Sequence, residues 1–115
     1  MKKTITLPPV KRGDTWCFTF SWRNNNTPID LTDCTAKMQI RGKRTDNLVA
    51  EATSDDDSIL IDGITGVVKV TFSASVTAQV PHGTYDTDIQ LTFPVTGYVQ
   101  SSDTMQIIVN EDVTK

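Results

Sequence analysis

The chain has 115 residues, with eleven basic and fourteen acidic side chains and a net charge of −3. That length predicts one domain over residues 1–115, burying on the order of two-thirds of its unfolded surface. Neither sign of charge forms a long run, which argues against nucleic-acid binding through a basic surface. Lys2 and Lys3 are not followed by the apolar stretch of a signal peptide, and no segment approaches membrane-spanning length. The expectation is a protein made and kept soluble in the cytoplasm, with no membrane partner.

Thr4–Leu7 alternates weakly and stops at Pro8-Pro9, which suits an edge strand because proline has no amide hydrogen to give a ladder. Lys11-Arg12-Gly13-Asp14 then reads as a turn. It contains an Arg-Gly-Asp triplet of the kind that binds integrins from a displayed loop, but a match of three residues is short and turn chemistry explains it.

Thr15–Arg23 carries the strongest signal. Trp16, Phe18, Phe20 and Trp22 fall at every second position with Cys17, Thr19 and Ser21 between them, the alternation of a strand with one apolar face. They are half of the chain's eight aromatics, and such rings bury roughly 150–250 Å² each, so the core is expected to condense around this strand as a central one.

Asn24–Pro28 is turn chemistry, since Asn tolerates left-handed backbone. Asn25-Asn26-Thr27 matches a glycosylation acceptor that a cytoplasmic chain would not present to the enzyme. From Cys34 to Arg41, Ala36, Met38 and Ile40 alternate with Lys37, Gln39 and Arg41, which predicts a half-exposed strand with a polar, basic outer face. Gly42–Asp46 is a hairpin loop and Leu48–Ala52 the returning strand. Ser54–Ser58 holds three consecutive aspartates, yet it lacks the alternating ligands, glycine turn and distant glutamate of a calcium loop, so it reads as solvated. Ile59–Ile61 and Val67–Phe72 form a hairpin about the turn 62–66, with Val68, Val70 and Phe72 inward.

Ser73–Val80 breaks the alternation and predicts at most one helical turn crossing between sheets. In the strand Thr84–Phe93, Tyr85, Thr87, Ile89, Leu91 and Phe93 share a face. A tyrosine entering a strand just after a proline-containing crossover is the placement of the tyrosine corner in immunoglobulin-like sandwiches. Tyr98–Gln100 begins a return, and Met105–Val109 is the last strand before a charged tail. Short strands, turns about every ten residues and almost no helix predict an all-β, antiparallel β-sandwich of about seven to nine strands. Its predicted core is Trp16, Phe18, Phe20, Trp22, Met38, Ile40, Val68, Val70, Phe72, Tyr85, Ile89, Leu91 and Phe93.

Candidate chemistry is sparse. Asp86 and Asp88, two apart on one strand, would set their carboxyls roughly 6.5–7 Å apart on one face, near the lower bound for an inverting glycosidase. Nothing else suggests a sugar cleft, and pairing with outward basic neighbours such as Lys37 and Arg41 is the better explanation. His82, the one histidine, sits in a turn with no sign of an adjacent activated nucleophile. Cys17 and Cys34 lack the spacing and histidine partners of a zinc site and read as free thiols that fill small packing positions. The glycines occur singly in turns, so no phosphate-cradling loop is present. No catalytic residue, cofactor or metal site is expected.

The succession Arg12-Gly13-Asp14-Thr15, Phe18-Thr-Phe-Ser-Trp22, Pro28-Ile-Asp-Leu31 and Ala36-Lys-Met-Gln-Ile-Arg41 resembles small immunoglobulin-like structural proteins of tailed bacteriophages. It is similar to the N-terminal domain of phage baseplate upper proteins. Gly66–Phe72, Ser75–Ala78 and His82–Leu91 continue the likeness over nearly the whole chain. Gln100–Asp103 departs from it, where such proteins have a glycine-led turn before the last strand. The resemblance implies an immunoglobulin-like fold and a non-enzymatic virion component of the tail, baseplate or neck, made in the host bacterial cytoplasm. Its partners would be other virion proteins, with weak self-association in isolation and several copies in the particle. Strand edges at Thr4–Leu7 and Met105–Val109 are the expected places for pairing with another chain. The alternatives are a host-surface receptor-binding module, contacting through Arg12-Gly13-Asp14 and Asp55-Asp56-Asp57, and a glycan-cleaving enzyme using Asp86 and Asp88.

Overall fold

The computed structural model describes residues 5–24 and 26–111. Thr4 of the first predicted strand, Asn25 of the predicted turn and residues 112–115 of the charged tail lie outside them. In chain order the strands are β1 (Ile5–Thr6), β2 (Val10–Lys11), β3 (Trp16–Ser21), β4 (Arg23–Asn24), β5 (Thr27–Pro28), β6 (Thr35–Gly42) and β7 (Leu48–Thr53). After a 3-10 turn at Ser54–Asp56 come β8 (Ile59–Asp62) and β9 (Val67–Phe72). One helical turn, α1 (Ala74–Thr77), leads to β10 (Gly83–Thr92), β11 (Val99–Ser101) and β12 (Met105–Asn110). Among the described residues this makes twelve strand segments, more than expected, because β1, β2, β4, β5 and β11 are only two or three residues long.

The chain builds two facing sheets and a separate two-stranded ladder of β4 with β5. The larger runs β1-β12-β10-β6-β7, with β2 also on β12 and β11 also on β10, and the smaller runs β3-β9-β8. Consecutive strands β6 and β7, and β8 and β9, are antiparallel hairpins, whereas β1 and β2 lie parallel to β12. The connection through α1 carries the chain from β9 in one sheet to β10 in the other. This is the immunoglobulin-like sandwich.

Alternation dictates the core. Trp16, Phe18, Val68, Val70, Phe72 and Ile59 point inward from the smaller sheet, and Ala36, Met38, Ile40, Ala50, Ala52, Tyr85, Ile89 and Leu91 from the larger. Trp16 lies opposite Phe72 across the ladder. Their rings meet edge to face with centroids 6.1 Å apart, and Phe18 meets Phe72 the same way at 6.4 Å. Such geometry adds to the area burial because a ring edge is positive and a ring face negative. Trp16 Nε1 donates to the Lys11 carbonyl at 2.7 Å, so the indole is buried with its polar atom satisfied.

Three of the predicted core aromatics differ from expectation. Phe20, Trp22 and Phe93 are half-buried and pack against the rim of the core. Trp22 is not in the ladder of β3, which ends at Ser21; its amide instead donates to the Gly66 carbonyl at 2.7 Å. Nor is β3 central, since among the described residues it pairs only with β9. Its rings are covered by the opposite sheet, and burial across a sandwich needs no second ladder neighbour. Conversely, β12 is not an open edge, because β10 covers one side and β1 and β2 the other.

The tyrosine corner is present: Tyr85 Oη donates to the Pro81 carbonyl at 2.6 Å, four residues upstream. Thr87, the polar member of the same face, is buried and donates to the Gln39 carbonyl at 2.7 Å. The departing segment 100–103 is tied down too, with Ser102 N donating to the Ile89 carbonyl and Ile89 N to Ser102 Oγ.

Candidate functional site

Asp86 and Asp88 lie on the outer face of the larger sheet, where Asp86 is opposite Arg41 and Asp88 opposite Gln39. The expected ion pairs do not form among the described residues. Arg41 gives Nε and Nη2 to Gln39 Oε1, at 3.2 and 2.8 Å, and Nη1 to the Asp46 carbonyl at 3.0 Å. Gln39 in turn donates to Glu51 at 2.5 Å. Lys37 faces Gln90 and Thr53, two neutral side chains. The outer face is thus a carboxamide-bridged mosaic rather than a row of charge pairs, and the two aspartates line only a shallow depression of about 350 Å³.

His82 Nδ1 lies 3.2 Å from Glu111 Oε1, which also sits 3.8 Å from Arg12. A histidine–carboxylate contact therefore exists that periodicity gave no sign of, since its partners are 29 residues apart. No Ser, Thr or Cys side chain among the described residues is hydrogen-bonded to this histidine. The Arg-Gly-Asp turn is held from behind: the Asp14 carbonyl accepts from Thr77 Oγ1 at 2.6 Å, and Gly13 takes φ +90, a conformation that L side chains rarely adopt. In the acidic loop Asp56 accepts from the Ser58 amide at 3.0 Å and from its hydroxyl. These bonds hold its carboxyl below the usual carboxylate range, and the loop closes on itself.

Both cysteines are free. Cys17 is exposed rather than a packing residue, since the intervening positions of β3 face outward. Cys34 is half-buried at the entrance to β6. Burial pushes its thiol up, and the charges of Asp30 and Asp33 add to the effect.

One open concavity was not expected from the sequence. Leu31–Cys34 runs beside the β8–β9 hairpin, with the Leu31 amide donating to the Gly63 carbonyl at 2.8 Å. Between them opens a groove of about 750 Å³ whose lining includes the apolar side chains of Leu31, Leu60, Ile61, Ile64 and Val67 and the charged ones of Asp33, Asp62 and Lys69. Leu60 and Ile64 are 55% and 84% exposed. Register places the hairpin tip between β10 and β11 at this same end, because Thr92 lies opposite Thr35, next to Cys34. That tip adds exposed Val95, Tyr98 and Val99. Val95 is held at φ 67 by a γ-turn in which the Thr96 amide donates to the Pro94 carbonyl at 2.6 Å, a strained conformation for a β-branched residue. One end of the sandwich therefore gathers five of the seven exposed large hydrophobic residues. Scattered apolar side chains need no explanation, whereas a cluster of them beside a groove is a candidate contact surface. A signal was available in the sequence, because residues 91–102 carry no charge.

Among the described residues no group of His, Cys, Asp and Glu is placed to hold a metal ion, and no helix is long and apolar enough to cross a membrane. No protein-family model matches the sequence, and no curated protein matches it. Among solved structures the chain is similar to the N-terminal domain of phage TP901-1 ORF48, with a TM-score of 0.60 at 14% identity, covering 94% of this chain and 85% of that one. The likeness to phage domains read from the residue succession is thus present as a likeness of fold.

Proposed function

We propose that this chain is a non-enzymatic structural component of a tailed phage virion, in the tail, baseplate or neck, acting through protein–protein contacts. The observation that carries the proposal is the similarity of fold, over nearly the full length of both chains, to a domain of a phage protein. The apolar end of the sandwich supports it, because a contact surface is what an assembly part needs and what the outward aspartates do not supply. Its partners are other virion proteins, and it occurs in several copies because it meets rotationally symmetric rings and tubes.

The competing roles give different readouts. Purified protein that attached to host cells would mark a receptor-binding module. Release of soluble sugar that vanished in Asp86→Asn or Asp88→Asn would mark a glycosidase. Neither is expected. A mass-spectrometric inventory of purified particles should contain the chain, and its presence in lysate but absence from particles would contradict the proposal.

A further inference from the structure

The apolar groove has a complement on the same molecule. At the far end of β6 the β6–β7 hairpin, residues 43–47, exposes Lys43 and Arg44 and is followed by Leu48, 47% exposed. The hairpin thus offers an apolar side chain beside two cations, with Asp46 as its one carboxylate. The groove offers apolar lining, with Asp33 and Asp62 against Lys69 among its charged residues and Asp30 close to Cys34. Apolar surface with net negative charge matches apolar surface with a net positive flank.

The two features cannot meet within one chain. They lie at opposite ends of β6, which has eight residues, and a strand of that length spans about 25 Å. Meeting between copies is open to them. We infer that the groove at Leu60 and Ile64 receives the Lys43-Arg44 hairpin and Leu48 of a second copy of this chain, in a head-to-tail contact. Such a contact uses two different patches, so it repeats from copy to copy and closes into a ring or extends into a stack, depending on the rotation at each step. Like faces are kept apart, because two groove ends set against each other would oppose their carboxylates. The inference deepens the proposed assembly role but rests on surfaces of this chain alone, so an empty contact here would leave the particle inventory untouched.

The test is sedimentation velocity on purified protein and two variants. Wild type should self-associate weakly from the micromolar into the millimolar range, and less at high salt, because exposed charges are screened. Leu60→Lys/Ile64→Lys places positive charge in the groove and leaves the hairpin native. Lys43→Ser/Arg44→Ser removes the hairpin's positive charge and leaves the groove native, and a hairpin given no new carboxylate has no added attraction for a groove carrying lysines. All four positions are exposed, and the one hydrogen bond to a side chain among them, from the Ile64 amide to Asp62 Oδ1, is made by the backbone. Each variant alone should dissociate at least about tenfold more readily than wild type, the scale of coupling between close interfacial charges. Mixed, the native hairpin of one should enter the native groove of the other, giving a 1:1 dimer and nothing larger. That restoration also shows both variants folded. Wild type that stays monomeric throughout, variants that associate like wild type, or a mixture that stays monomeric would each overturn the inference.

Discussion

Trp16 and Phe20 look equivalent in sequence, two aromatics four residues apart on one strand face, yet they differ in what surrounds them. Trp16 is 2% exposed, with its ring against Phe72 and its nitrogen bonded, whereas Phe20 sits at the rim. Trp16→Ala should cost about 3–5 kcal/mol and Phe20→Ala about half that in chemical denaturation, since a rim site collapses or hydrates instead of leaving a void. Tyr85→Phe keeps the ring packing and removes the bond to Pro81, costing about 1 kcal/mol. Burial pushes the Tyr85 hydroxyl up, with the Arg12 charge opposing. A raised folded value gives stability that is complete below the ordinary tyrosine pKa of about 10 and lost as pH rises through the folded value. The Phe variant should therefore lack that alkaline loss. At acid pH the sign reverses. The hydroxyl and then the amide of Thr32 lower the Asp30 carboxyl, and those of Ser58 lower Asp56, so their contribution is present above pH of about 4 and lost as pH falls through the folded values. Asp30→Asn and Asp56→Asn should flatten the acid limb of a pH titration of melting temperature, and an unchanged limb would show that these two turns do not set it.

Strands were legible where period two ran for five residues or more, as in β3, β6, β9 and β10. The half-buried ends of those strands were not, because alternation reports which face a residue takes and says nothing of how far along the sheet the opposite layer extends. Leu31 shows the limit most clearly: it is fully buried, yet the alternation Ile29-Asp30-Leu31-Thr32 is only four residues long and belongs to no strand. The groove was equally hidden, since it is made by Leu31–Cys34 meeting the 62–66 turn, two segments joined only by the fold. The seat of that turn against Trp22 and Ile29 is testable through glycine. Gly66 and Gly97 both take φ +69, but a Cβ on Gly66 would lie 2.7 Å from the Trp22 carbonyl oxygen and 2.9 Å from that of Ile29, while one on Gly97 meets nothing. Gly97→Ala should cost only the left-handed backbone strain, about 1–2 kcal/mol. Gly66→Ala should cost clearly more, and thermal melts giving equal losses would mean that the turn yields at no cost.

At the scale of the molecule, charge and apolar surface are distributed unevenly. On the outer face of the larger sheet Arg41, Gln39 and Glu51 bond one another, while the acidic loop closes on itself and Thr77 holds the Arg-Gly-Asp turn. The exposed apolar side chains collect instead at the end carrying Leu60, Ile64, Val95 and Tyr98, which is where an assembly part would meet its neighbours. The fold class was visible from the sequence, as was the likeness to phage domains; the apolar end was not, because it depends on loops brought together from three separate hairpins and connections. Cross-linking mass spectrometry on intact purified particles tests the account most directly. It predicts peptides of this chain in the particle, with cross-links to neighbouring virion proteins or further copies from residues flanking the groove end, such as Lys69, and the β6–β7 hairpin, such as Lys43. Particles without peptides of this chain, or with the chain present and cross-linked only through the outer face of the larger sheet at Lys37, would contradict it.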